Sequence, residues 1–91
     1  VSQKKNQKLE SASIRFNTKV KTALKEEINI RSWEVWIEPL EVIDFENNVL
    51  TLFHDFDPIW VSKHYGARIH KLLNAGAKEE ITVEITNKKE G

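Results

Sequence analysis

The chain contains no cysteine, which excludes both a disulfide framework and a thiolate metal site. It has only three glycines, and none belongs to a loop of the kind that cradles phosphate through backbone N–H groups. No apolar run approaches the length of a membrane span, and the N-terminus lacks the apolar core of a signal peptide, so a cytoplasmic protein is expected. A continuous basic footprint is also missing. The 14 basic and 14 acidic side chains balance, but unevenly along the chain. Residues 1–15 carry Lys4, Lys5, Lys8 and Arg15 against Glu10, whereas residues 26–57 carry nine acidic groups against Arg31 alone. A tight duplex-DNA binder needs the opposite arrangement. Catalytic parts are scarce as well. His54, His64 and His70 have no metal-ligand spacing and read as surface histidines, and no nucleophile lies at a telling distance from a base. The expectation is a non-enzyme with no catalytic residue, no metal and no cofactor.

What is present suits one small globular domain, with 40% apolar and 31% charged residues, near the lower size limit for a self-sufficient core. Its centre of interest is Trp33-Glu34-Val35-Trp36-Ile37-Glu38-Pro39-Leu40. The spacing of Trp33, Trp36, Ile37 and Leu40 places them on or near one face of a short helix. Ser32 stands where a hydroxyl caps the first turn, and Pro39 ends the helix at about Glu38.

Residues 1–13 are polar, have no periodic apolar face and read as a disordered leader. From Ile14 the positions Phe16, Val20, Ala23, Leu24 and Ile28 follow helical spacing, with Ser13 as the candidate cap and Lys19, Lys21, Lys25 and Glu26 as a solvated face. After Pro39 the period shifts toward two: Glu41–Phe45 and Val49–His54 read as strands joined at Glu46-Asn47-Asn48, since asparagine tolerates left-handed backbone. Asp57 and Pro58 suit the cap and first position of a helix running to about Asn74, with Gly76 just beyond its end. Residues 80–86 alternate as a last strand, with Ile81, Val83 and Ile85 inward. The expected core joins Leu50, Leu52, Val61 and Ile69 to Tyr65 and to Phe45 or Phe53. The order helix, helix, strand, strand, helix, strand predicts an α+β fold, a three-stranded sheet packed with helices, in which the first two strands form a hairpin and the third joins an edge. The domain is expected to occupy residues 14–87, with a frayed tail over 88–91.

The series Trp33-x-x-Trp36-Ile37-x-Pro39-Leu40, Asn48-x-Leu50-Thr51-Leu52, Trp60-Val61-x-x-x-Tyr65 and Ile69-x-x-Leu72-Leu73 resembles the N-terminal domain of the bacterial chromosomal replication initiator DnaA. The motifs are weak singly and fairly specific in this order and spacing, over about residues 16–86. The resemblance implies a KH-like fold and an assembly module that mediates initiator self-association, including a weak homodimer, and contacts the replicative helicase and replication regulators. Carried over position by position, it implies partner contacts at Ser32, Val35, Trp36 and Phe56, and self-association through Phe16, Asn17 and Val20. Trp36 and Phe56 are expected to form one apolar patch, rimmed by Glu34, Glu38, Asp55 and Asp57.

Two other readings stay open. One is a KH-like module that binds single-stranded nucleic acid weakly through Lys63, Arg68 and Lys71. Against it, Gly66-Ala67-Arg68-Ile69 lacks the second glycine of a GxxG clamp and lies inside a helix. The other is a stand-alone adaptor or inhibitor of the initiator, which the residues do not distinguish from an excised domain.

Overall fold

The computed structural model describes residues 2–88, with side chains described from Lys8 onward. Three helical segments and three strands follow in the expected order. Helix α1 is α-helical over Ser2–Phe16, π-helical over Asn17–Lys21 and α-helical again over Thr22–Glu27. The backbone stays helical through both junctions, so the three stretches form one rod. Helix α2 begins with Ile30–Ser32 and continues as the π-helical turn Trp33–Ile37. Strands β1 (Glu41–Glu46) and β2 (Val49–Phe53) form an antiparallel hairpin. Helix α3 (Pro58–Asn74) then crosses to β3 (Thr82–Thr86), which pairs parallel with β2. The sheet order β1-β2-β3 leaves β2 in the centre.

The hairpin and α3 form for the reasons the sequence carries. Asn47 and Asn48 both adopt positive φ, 53° and 62°, the backbone that a two-residue turn matched to strand twist requires. The Asp57 side chain accepts the Trp60 N–H at 3.0 Å, and Pro58 fills the first turn, where its missing N–H costs nothing. Gly76 at φ 77° ends the α3 turn. Leu50, Leu52, Val61, Ile69 and Leu73 are buried, joined by Phe16, Val20, Leu24, Ile37 and Leu40 from the helices, while Phe45 and Tyr65 pack on the core partly exposed.

Several expectations are corrected. Most of the stretch expected as a leader is described. From Ser2 it is helical, and Leu9 and Ala12 extend the Phe16–Val20–Leu24 stripe backward onto the core. Val1 lies outside the described residues, and so do residues 89–91 of the expected frayed tail. Ser13 is therefore no cap. Nor is Ser32: Asn29 holds the non-helical backbone before α2, and its side chain accepts the Arg31 N–H at 2.8 Å, while Ser32 makes no capping bond. The lysines of α1 are more than a solvated face. Lys19 Nζ donates to the Ala75 carbonyl and Lys21 Nζ to the Glu38 carbonyl, each at 2.8 Å, so two cations cap the C-terminal ends of the other helices, where the dipole favours positive charge. Arg68 and Glu27 form an ion pair between α3 and α1.

Candidate functional site

The site is built where the end of β2, the loop before α3 and the π-helical turn of α2 meet. Trp33 and Trp36, expected on one helical face, engage different partners across this wider turn. The Trp33 indole N–H donates to the Lys21 carbonyl at 2.9 Å, and the Lys25 ammonium lies 4.9 Å from its ring, so Trp33 ties α2 to α1. Trp36 turns the other way and stacks on Trp60 of α3, with ring centroids 4.0 Å apart and planes 21° from parallel. Phe56 packs on Trp36 at 5.7 Å, and His64 covers Trp60 at 3.9 Å. The result is an aromatic series, Phe56–Trp36–Trp60–His64, running from the loop onto α3.

Of the four residues implied as partner contacts, Val35, Trp36 and Phe56 are brought together. Val35 is 49% exposed and Phe56 71% exposed, while Trp36 is half-buried. Ser32 is half-buried at the junction where α2 becomes π-helical. The three residues implied for self-association are separated by burial: Phe16 and Val20 have no exposure at all, and only Asn17 reaches the surface. Their positions on α1 explain this burial, since the stripe that includes them packs against the rest of the domain.

Two residues of this region escaped the sequence reading. Ile59, in the first turn of α3, is 78% exposed and falls off the buried stripe of Val61 and Ile69, which is the signal that could have found it. His54 is 1% exposed, against the surface histidine expected. Its signal was the alternation along β2, which sends Leu50, Leu52 and then residue 54 inward. The imidazole makes use of both nitrogens. Nδ1 accepts the Phe56 N–H at 3.2 Å and the Asp57 N–H at 3.3 Å, and Nε2 lies 3.3 Å from the Val35 carbonyl. A nitrogen receiving two N–H groups carries no proton, so the network assigns the proton to Nε2. The ring also stacks on Trp36 at 5.8 Å. His70, by contrast, pairs with Glu80 at 3.0 Å on the far part of α3.

Glu34, Glu38 and Asp55 are exposed and Asp57 is half-buried; Glu34, Asp55 and Asp57 are chain neighbours of Val35 and Phe56, while Glu38 lies near Lys21 of α1. Among the described residues, no three His, Asp or Glu side chains gather as a metal site. A separate groove of about 440 Å³ lies beside α1, with Ala12, Phe45, Leu50, Leu73 and Ile81 in its walls. Among the described residues, no helix is long and apolar enough to cross a membrane.

A small α+β domain presenting a partly exposed aromatic series is the class these features define. The chain belongs to the DnaA N-terminal domain family, which it matches over residues 17–75. It is 32% identical to the chromosomal replication initiator protein DnaA of Magnetococcus marinus, over a stretch covering 75% of this chain and 16% of that protein. The first part of α1 and all of β3 lie outside the family match.

Proposed function

We propose that this domain is a protein-interaction module of a bacterial replication initiator. Its partners on this reading are the replicative helicase, replication regulators and other initiator copies, and its setting is the cytoplasm. One observation carries the proposal: Phe56, 71% exposed, packs on the half-buried Trp36, whose neighbour Val35 is 49% exposed, and Glu34, Asp55 and Asp57 adjoin these residues in the chain. Exposed aromatics of this kind anchor interfaces, and the adjoining carboxylates steer a basic partner while repelling phosphate. The same field disfavours the nucleic-acid reading. Self-association is assigned to the outer side of α1, at Asn17 and the exposed Ile14.

Phe56→Ala is the direct test. Because Phe56 is 71% exposed, the variant should keep its fold while its affinity for the replicative helicase of the same organism falls by about 2 kcal/mol, roughly thirtyfold. Undiminished binding by a folded variant would remove the patch from the reading. The domain is also proposed to have no hydrolase or transferase activity of its own; ATP turnover that scales with the purified domain would contradict this.

A further inference from the structure

Val35 has a backbone problem that its own helix does not solve. The residue four positions on is Pro39, which has no N–H to return to the Val35 carbonyl. The neighbouring donors are committed: the Glu38 N–H goes to the Trp33 carbonyl at 2.7 Å and the Leu40 N–H to the Ile37 carbonyl at 3.0 Å. A carbonyl left without a donor in a half-buried setting is costly. The loop before α3 has the complementary problem, because the Phe56 and Asp57 N–H groups precede the helix and need an acceptor. His54 answers both at once, donating from Nε2 to Val35 and accepting at Nδ1 from Phe56 and Asp57. Its own backbone is fixed, since the His54 N–H donates to the Thr86 carbonyl of β3 at 2.9 Å.

We infer that His54 is the positioning residue of the interaction patch: one buried imidazole, anchored to the sheet, sets the Phe56 loop and the Val35–Trp36 turn in register with each other. This rests on the reading of the patch as a partner site and deepens it. Three of its links lead to patch residues. The carbonyl of Val35, the ring of Trp36 and the N–H of Phe56 all meet the same side chain. Phe56 itself is so exposed that packing alone holds it weakly, so its direction depends on the backbone bonds at its own N–H and at that of Asp57. An apolar residue of similar size at position 54 would fill the space and lose this register.

The side chain separates into parts that substitutions keep or lose singly. In His54→Asn the amide oxygen stands two bonds from Cβ, as Nδ1 does, and retains an acceptor for the two loop N–H groups in the manner of an Asx turn. His54→Gln supplies a longer donor toward Val35 and no acceptor at the loop. His54→Leu supplies neither.

Two readouts are made on the isolated domain. Hydrogen exchange at the Phe56 and Asp57 amides should stay slow in the parent and His54→Asn, and quicken by about tenfold in His54→Gln and His54→Leu, the size expected for losing a modest hydrogen bond. The imidazole nitrogen spectrum of the parent should show the proton on Nε2 at neutral pH, a measurement that stands even where a variant fails to fold. Helicase binding, measured in the same set, should follow loop protection rather than melting temperature, with His54→Asn rescuing most of the affinity lost in His54→Leu. A proton on Nδ1 in the parent overturns the inference. So does loop protection unchanged in a folded His54→Leu, or a folded His54→Asn that binds as poorly as His54→Leu. Failure of Phe56→Ala to weaken binding would instead strike the partner-site reading alone, because loop protection is read without a partner.

Discussion

Trp36 and Trp60 lie face to face, 4.0 Å between ring centroids, although one belongs to the π-helical turn of α2 and the other to the first turn of α3. Two elements that are separated in the chain by the whole hairpin are thus joined at one aromatic contact, beside which Phe56 and His54 also pack. A double-mutant cycle with Trp36→Ala and Trp60→Ala should give a coupling of about 0.5–1.5 kcal/mol beyond the single effects, the range of stacked aromatic pairs. Additive losses in urea denaturation would mean that the two rings touch without supporting each other.

The centre of the sheet sets the stability of everything above it. Leu52 is completely buried in β2, the strand paired on both sides. Leu52→Ala should cost about 2–5 kcal/mol, a large share of the 5–15 kcal/mol typical of a whole domain. A variant that melts with the parent would show that the core collapses around the missing atoms.

Lys21 provides a pH signature. Burial lowers its pKa from the ordinary 10.5, against the raising influence of Glu38 and Glu41. Between that lowered value and 10.5 the unfolded chain binds more protons at this position than the folded one, so stability rises with pH across the window. Below it, keeping the charged amine partly desolvated is a constant cost. Lys21→Met keeps the apolar stem and removes the titration. The stability difference, parent minus variant, should therefore increase on moving from neutral pH to the upper end of the window. A flat difference would contradict the assignment.

Much of this fold was legible because its signals are local. Asn47-Asn48 carries its turn in the tolerance of asparagine for positive φ, Asp57-Pro58 opens α3, and Gly76 follows its end. Trp36 and Phe56 could be expected together, and they lie 5.7 Å apart. What was missed depends on distant partners. Leu9 and Ala12 are too few to announce a helix, and gain meaning only when their stripe meets the core. Lys19 and Lys21 look like ordinary surface lysines until Ala75 and Glu38 bring helix ends to them. Phe16 and Val20 fitted a helical stripe equally well as core or as contact surface; the packing of α1 decided for core. His54 was read by residue type, whereas its place in the alternation of β2 decided its burial.

Asn74 joins the last turn of α3 to the start of β3, and that link reaches the aromatic patch. Its side-chain N–H groups donate to the His70 carbonyl at 2.8 Å and the Ile81 carbonyl at 3.0 Å, while its oxygen accepts the Ile81 N–H at 2.6 Å. The amide therefore satisfies both backbone groups of buried Ile81, as a neighbouring strand would. Asn74→Ala leaves those groups without their partners and should cost about 1–3 kcal/mol. Asn74→Asp keeps the acceptor but turns a carboxylate toward two carbonyl oxygens. Its folded-state carboxyl is expected to titrate above the unfolded value, so its deficit should be largest at neutral pH and shrink as the pH falls and a proton restores one donor. The effect should also reach the patch, because β3 ends at Thr86, whose carbonyl holds the His54 N–H at 2.9 Å. Chemical denaturation of both variants at neutral and acid pH, with hydrogen exchange at the Phe56 amide, checks the whole chain of contacts. An Asn74→Ala variant as stable as the parent, or one destabilised with the Phe56 amide untouched, would break it at the corresponding link.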